Sequence, residues 1–445
     1  MKKIMVAIIA LAFATLPTSA QKLFQAAKMD SLLQALEQYD KAMGTVALAR
    51  DGKVFYKKSF GYKQLSGKIK NEPDTKFRIG SITKMFTATM VLQLIEEGKL
   101  TMETKLGAYF PSVPNAKDIT IEQMLTHHSG LYNFTDENYL TFHTRPKTQQ
   151  EVLDIIAGQT PVFNPGERAE YSNTNYLLLG YIIEKITGAS YSENLRSRIT
   201  GKLKLKNTFV GSKINPKNNE AFSYSFNGFN WIVEDETDMS LPGGAGAIVS
   251  NTEDLIKFID ALFHHKLVNS TSLDSMTTIK DGYGMGFFQA PFYDKKGYLH
   301  NGGIDGFSSS LVYFPDDKLE VALLMNGLAY QMNDIMIGVL SIYYDKDYAI
   351  PQFKKPVQLP ESLLGRYVGV YSSKEFPLKI TITQQGQKLM AQATGQNAFP
   401  LAAISETEFR YDAAGVVILF TIEADATVKQ LTLQQMGRSF HFEKE

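Results

Sequence analysis

The chain has 445 residues with 46 basic and 46 acidic side chains, 44% hydrophobic and 21% charged, a composition that excludes a disordered chain, a collagen and a membrane bundle. Balanced charge leaves no broad basic surface for nucleic acid, whose binding rests on neutralising phosphates with clustered Lys and Arg. Cysteine is absent altogether, so disulfides, thiolate metal sites and cysteine nucleophiles are excluded as well.

Lys2 and Lys3 precede an apolar stretch from Ile4 to Leu16, and Pro17-Thr18-Ser19-Ala20 ends on small residues. The pattern predicts a signal peptide over residues 1–20, cleaved before Gln21. The stretch is shorter than the ~17 to 25 apolar residues that an uncleaved anchor needs, and no cysteine follows it to carry a lipid. Export to the periplasm or the medium is the expectation. No other segment has the length and apolarity of a membrane span; Tyr176 to Ile183, the nearest, runs at once into Glu184 and Lys185.

Beyond the leader, Leu32, Leu33, Leu36 and Tyr39 recur at helical spacing and predict a helix within Leu23 to Tyr39. Thr45 to Tyr62 alternates about Asp51-Gly52, a dipeptide that favours a tight hairpin. Ser81 to Glu97 reads as a helix, with Ser81 and Thr83 at its start, Met85, Met90, Leu92 and Ile95 along it, and Gly98 placed to end it. Further helices are predicted at Ile121 to His127, Asn175 to Ile186 and Thr252 to Phe263. Gly306 to Phe314 and Leu319 to Met325 are strand-like and flank a Pro315-Asp316-Asp317 turn.

The composition changes near residue 350, where Pro351, Pro356 and Pro360 with Lys354 and Lys355 suit an extended connector. Past it, short β-type runs follow one another from Leu378 to Phe442, with turns at Gln385-Gly386, Gly395, Ala414-Gly415 and Asp425. The expected organisation is an α+β domain over 21–350, a linker over 351–359 and a small antiparallel barrel or sandwich over 360–445.

Chemistry enters at Gly80-Ser81-Ile82-Thr83-Lys84. If the helix starts at Ser81, Lys84 lies one turn on along the same face, within reach of the hydroxyl, and the helix N-terminus offers free N–H groups to an anion formed there. A serine hydroxyl needs a base, and lysine can be one where burial or a neighbouring cation depresses its pKa. Alone, the pair is equally a capping serine with a solvated lysine, and Ser19-Ala20-Gln21-Lys22 repeats the spacing. Tyr171-Ser172-Asn173 follows the turn Pro165-Gly166 and precedes a helix; on such a loop a tyrosine can shuttle protons and an asparagine amide can hold a carbonyl. His300-Asn301-Gly302-Gly303 comes late, beside strand-like residues. Its glycines let a ligand approach an edge strand closely and can present N–H groups to an oxyanion.

In this order, Ser-x-x-Lys, Tyr-Ser-Asn and His-x-Gly resemble the serine β-lactamase and penicillin-binding protein superfamily, and within it the class C β-lactamase-related serine hydrolases. Ile119 to Leu131, ITIEQMLTHHSGL, and Gly243-Gly244-Ala245-Gly246 leading to Ser250-Asn251-Thr252-Glu253-Asp254-Leu255 extend the likeness over about residues 24 to 345. The resemblance implies an antiparallel sheet flanked by helices, with a helical cluster bearing Tyr171. It implies Ser81 as the acylated nucleophile and Lys84 with Tyr171 as its proton-transfer groups. Asn173, His300, Gly302 and Gly303 would bind substrate, His300 would assist the proton network of Tyr171, and the N–H groups of Ser81 and Gly303 would form the oxyanion hole. The superfamily branch includes D-amino-acid peptidases, DD-carboxypeptidases and esterases, so the expected substrate is a D-amino-acid-containing peptide or a small ester. True class C β-lactamases carry lysine in place of His300, and its absence removes a permanent cation for a β-lactam carboxylate.

No cofactor is expected. The chain has no Gly-x-Ser-x-Gly elbow, and neither His127-His128 nor His264-His265 belongs to a recognised ligand spacing, so no metal is expected either. The rival reading is a noncatalytic protein on the same scaffold that binds or senses a peptidoglycan fragment or a β-lactam, with the β tail as adaptor. Three intact motifs stand against it.

Overall fold

A computed structural model describes residues 24–136 and 138–445; the predicted signal peptide lies outside the described residues. The first helix, Ala26–Gln38, buries Met29, Leu32, Leu33 and Leu36, and the hairpin Ala42–Arg50 and Lys53–Phe60 follows. Asp51 and Gly52 have φ of 54° and 72°, the two left-handed residues that a type I′ turn requires. The hairpin completes an antiparallel sheet whose path runs Phe288–Phe292, Lys295–Ile304, Phe307–Phe314, Leu319–Leu328, Ala42–Arg50, Lys53–Phe60. Two short strands, Tyr224–Phe226 and Trp231–Val233, branch from Leu319–Leu328.

Alternation with period two sorts the central strands onto two cores. Ala47, Ala49, Leu311, Ala322 and Leu324 share a cluster with the helices Thr83–Glu96, Asn173–Thr187 and Thr252–Phe263. Val46, Leu48, Val312, Val321 and Leu323 pack with Ala26–Gln38 and Met332–Tyr343. With helices on both faces, Ala42–Arg50 is buried at every position except Arg50; its side chains alternate between two interiors and not between core and water. The helix Thr83–Glu96 is buried without a break from Thr83 to Leu94, as a helix enclosed on all sides must be. Among the described residues, no helix is long and apolar enough to cross a membrane.

After Tyr343 the chain forms no helix or strand until Glu361–Leu364, although Ile350 and Phe353 still pack on the body. Eight antiparallel strands from Gly369–Ser372 to Arg438–Lys444 then close a barrel, sealed where Tyr371 lies opposite Lys444. Two of its strands had no clear sequence pattern: Gly369–Ser372 is short, and Phe399–Ala403 contains Pro400. The ladder from this second strand to Glu408–Tyr411 reaches only Ala402 and Ala403, so no donor is demanded of Pro400 on that side. The barrel is tied to the body by Lys41 Nζ donating to Asp412 at 2.6 Å, Gln331 donating to the Ala413 carbonyl at 2.8 Å and Lys388 donating to the Asn227 carbonyl at 3.2 Å.

Candidate active site

Ser81 sits in a 3₁₀ turn, Gly80–Ile82, which leads directly into Thr83–Glu96. Side chains three residues apart eclipse in such a turn, and Lys84 Nζ lies 2.8 Å from Ser81 Oγ. Ser81 caps nothing through its side chain and Lys84 is 0% exposed, so the pair is not a capping serine with a solvated lysine. Lys84 also donates to Asn173 Oδ1 at 2.7 Å and to the Ala245 carbonyl at 2.8 Å. Burial pushes its pKa well below the ordinary lysine value. Both of those partners are pure acceptors and take two N–H groups. In the neutral amine the remaining position is the lone pair, and it faces the Ser81 hydroxyl.

Tyr171 and Asn173 reach the same point from the start of Asn173–Thr187, with Ser172 at the N-cap. The Tyr171 hydroxyl donates to Ser81 Oγ at 2.8 Å. Burial raises the phenol above its ordinary range, the Ser81 hydrogen bond opposes that rise and Tyr283 adds to it, so the phenol is held neutral. Asn173 is clamped on both sides of its amide: Oδ1 accepts from Lys84, and Nδ2 donates to Thr135 Oγ1 at 2.8 Å.

Lys295–Ile304 carries the third motif. Its outer neighbour, Phe288–Phe292, pairs only as far as Leu299, so from His300 onward the strand is a free edge facing Ser81. The two glycines differ. A Cβ on Gly302 would strike the Ile79 carbonyl at 2.0 Å, whereas one on Gly303 would meet nothing within 4 Å; the first permits close packing behind Ser81 and the second leaves the cleft open. His300 is 2% exposed, and burial, with the Lys84 charge assisting, lowers its pKa to about 3. It lines the cleft, but its ring centroid is 6.4 Å from that of Tyr171, and no hydrogen bond joins the two among the described residues. The ring packed on Tyr171 is that of His127, at 4.5 Å.

A buried ion pair had no signature in the sequence. Arg78, two residues before Gly80, donates to Asp305 Oδ2 at 2.9 Å and to the Thr237 carbonyl at 2.9 Å; both charged side chains are 2% exposed. It also donates to the Ser212 carbonyl at 3.0 Å and Glu236 Oε2 at 3.1 Å, while Asp305 Oδ1 accepts from the Thr237 N–H and hydroxyl. The pair fastens the strand entering Ser81 to the turn that leaves Gly303.

Ser81 and Gly303 line two adjoining cavities. One, of about 320 Å³, also takes in Asn173, Tyr139, Leu140, Glu234, Asp235 and Asp305; the other includes Tyr171, Phe288, His300 and Met332. None of the described residues lining them is Lys or Arg. Asp51, Asp260 and His264, whose donor atoms lie within 4.8 Å of one another, line neither cavity, and their carboxylates already pair with Lys318 and Lys266.

The family model described as Beta-lactamase matches residues 29–337. The chain is 27% identical over 441 residues to Penicillin-binding protein 4* of Bacillus subtilis, covering 92% of this chain and 96% of that one. It is similar to a D-stereospecific amidohydrolase from Streptomyces sp., with a TM-score of 0.62 and 28% identity over 72% of this chain and 99% of the other. The fold extends over 94% of the chain in the octameric penicillin-binding protein homologue from Pyrococcus abyssi, with a TM-score of 0.64, 24% identity and 100% of that chain covered.

Proposed function

The chain belongs to the beta-lactamase family and is a serine hydrolase, and from that premise we propose that it is exported and cleaves amides of D-amino acids through an acyl-enzyme on Ser81. The observation that carries the reading is the Lys84 amine, desolvated and pinned by two acceptors so that its third position faces Ser81 Oγ. Ser81 Oγ attacks the amide carbonyl and its proton passes to Lys84. The oxyanion meets the backbone N–H groups of Ser81 and Gly303. Tyr171, a neutral phenol, delivers a proton to the departing amine nitrogen, and the proton that Lys84 took from Ser81 then restores the phenol. Water then attacks the ester by the same path in reverse, releasing the acid and free Ser81.

Charge supports an amine-bearing substrate. Glu234 and Asp235 line the cavity beside Ser81, His300 is held neutral, and no Lys or Arg among the described lining residues offers a partner to a substrate carboxylate. D-aminoacyl amides therefore suit the cleft better than D-Ala-D-Ala peptides or β-lactams, which present carboxylates; small esters follow by the same acyl chemistry. The similarity to a D-stereospecific amidohydrolase points the same way.

The test is labelling with a fluorophosphonate or penicillin probe, then intact mass and peptide mapping. We expect one adduct, on the peptide containing Ser81, and none in Ser81→Ala. Labelling that persists in that variant would sink the assignment. Turnover of D-aminoacyl amides, D-Ala-D-Ala peptides, p-nitrophenyl esters and nitrocefin by the mature protein then ranks the substrate classes, and preference for the carboxylate-bearing pair would overturn the charge argument.

A further inference from the structure

His127 ends the helix Ile121–Leu125, with Thr126 at the C-cap. The His128 N–H bonds to the Gln123 carbonyl at 2.7 Å and the His127 N–H to the Met124 carbonyl at 3.3 Å, the paired bonds of a Schellman motif. Its left-handed position is usually glycine. His127 holds that position with φ of 59°, and a side chain there carries backbone strain that glycine would not. The ring is 3% exposed, so solvent contact does not explain its presence.

The ring and backbone of His127 bracket Tyr171. The His127 carbonyl accepts the Glu170 N–H at 2.9 Å, and its Nδ1 accepts the Ser172 N–H at 3.2 Å. The residues on either side of Tyr171 are thus both bonded to His127, and the two rings lie 4.5 Å apart between. Asn175 Nδ2 lies 3.3 Å from the same Nδ1. With a backbone N–H directed at it, Nδ1 must be the unprotonated nitrogen, which makes His127 a neutral imidazole carrying its hydrogen on Nε2. Burial favours that form; Tyr171, Tyr176 and Tyr283 are the other rings against it.

We propose that His127 is a positioning residue for the hydrolysis, holding the Tyr171 hydroxyl on Ser81 by gripping the backbone on both sides of Tyr171. This rests on the reading of Tyr171 as the proton-transfer group. His127 lines neither cavity that Ser81 lines, so any effect on the rate is indirect, and the test is whether it passes through Tyr171.

The experiment is a double-mutant cycle on kcat and KM for one activated ester, with Tm measured for each variant. His127→Ala should lower kcat about 10- to 100-fold with KM within about 2-fold. In a Tyr171→Phe background the same change should cost less than about 2-fold, since there is no hydroxyl left to position. His127→Asn, which tolerates the left-handed conformation and keeps an acceptor near the place of Nδ1, should restore most of kcat. Equal losses in both backgrounds would show a general structural role and overturn the proposal. So would a folded His127→Asn as slow as Tyr171→Phe, whatever the alanine variant does. If Tyr171→Phe alone has no effect, it is the reading of Tyr171 that fails.

Discussion

The cleft and the barrel bury polar groups in opposite ways. Inside the barrel the core is Ile382, Phe409, Phe420, Leu431 and Phe442 with two tyrosines, and each tyrosine hydroxyl donates to a backbone carbonyl of the same domain: Tyr367 to Glu406 at 2.6 Å, Tyr371 to Tyr367 at 2.7 Å. Around Ser81 the buried groups are an amine, a phenol, two imidazoles and an Arg–Asp pair, bonded mostly to residues distant in sequence. Burying a charge is costly unless it is partnered, so the body holds Lys84 dry only because the apolar mass around Thr83–Glu96 supports it. Substitutions in the barrel should therefore register as stability, and those of the groups bonded to Ser81 as rate, while the Arg78–Asp305 pair, which joins two segments of the body, should follow the barrel.

The largest expected departure is at Lys84. Arginine stays protonated in proteins, so Lys84→Arg keeps a cation and removes the base. The acylation rate should fall about 10²- to 10⁴-fold, equivalent to about 3 to 5 kcal/mol in the barrier, with circular dichroism confirming a folded protein. In the wild type, kcat/KM should rise with pH as Lys84 loses its proton, on a limb well below the ordinary lysine pKa of about 10.4. The arginine variant should lack that limb. Near wild-type acylation by Lys84→Arg would transfer the base role to Tyr171.

Next is the Arg78–Asp305 pair, a cleft feature that should behave as stability. Arg78→Leu leaves Asp305 charged and buried, at a cost of about 3 to 5 kcal/mol in unfolding free energy, measurable by urea denaturation. Loss of rate with unchanged stability would show instead that the guanidinium acts on the substrate.

These two sites mark how far the sequence could be read. Ser81 and Lys84 were legible because a turn of helix relates them, and Tyr171 and His300 because each lies in a short motif in a fixed order. The meeting of Arg78 with Asp305 depends on strands far apart in the chain, and neither has a local pattern. His127 was visible inside ITIEQMLTHHSGL, but its grip on Tyr171 depends on a left-handed backbone that sequence spacing does not reveal. In the fold, the helix Thr252–Phe263 was read to the residue, since Asn251 caps it through Asp254 N–H and its apolar face is continuous. The helix Met332–Tyr343 was not, because Gln331 gives it no side-chain cap.

A smaller effect separates pH from catalysis. Glu320 is 0% exposed, its Oε2 has no partner, and burial, with Asp260 and Asp51 adding, raises its pKa to about 7 against the Gly52 N–H bond. A carboxyl whose pKa is higher folded than unfolded stabilises the protein most below the unfolded value; that stability is lost as pH rises from about 4.5 through about 7. Glu320→Gln should match the wild type near pH 4 and exceed it above pH 7, by no more than about 3 kcal/mol, while kcat at neutral pH stays unchanged. A Tm difference independent of pH would rule out this ionisation as its source.

Removing the barrel should likewise leave the rate nearly intact. Every described residue lining the two cavities at Ser81 lies between Gly80 and Met332, so no barrel side chain faces the substrate. A chain ended after Lys355 keeps Ile350 and Phe353 on the body and severs the bonds from Lys41, Gln331 and Asn227 to the barrel. Lys41, whose side chain is 6% exposed, then loses Asp412, and Tm should fall, with Lys41→Met recovering part of the loss by removing the stranded charge. The kcat for a small amide should stay within about 3-fold of the full chain, a change below 1 kcal/mol in the barrier. A folded, soluble body without activity would mean that the barrel completes the catalytic geometry, and the division between a rate-setting cleft and a stability-setting barrel would fail.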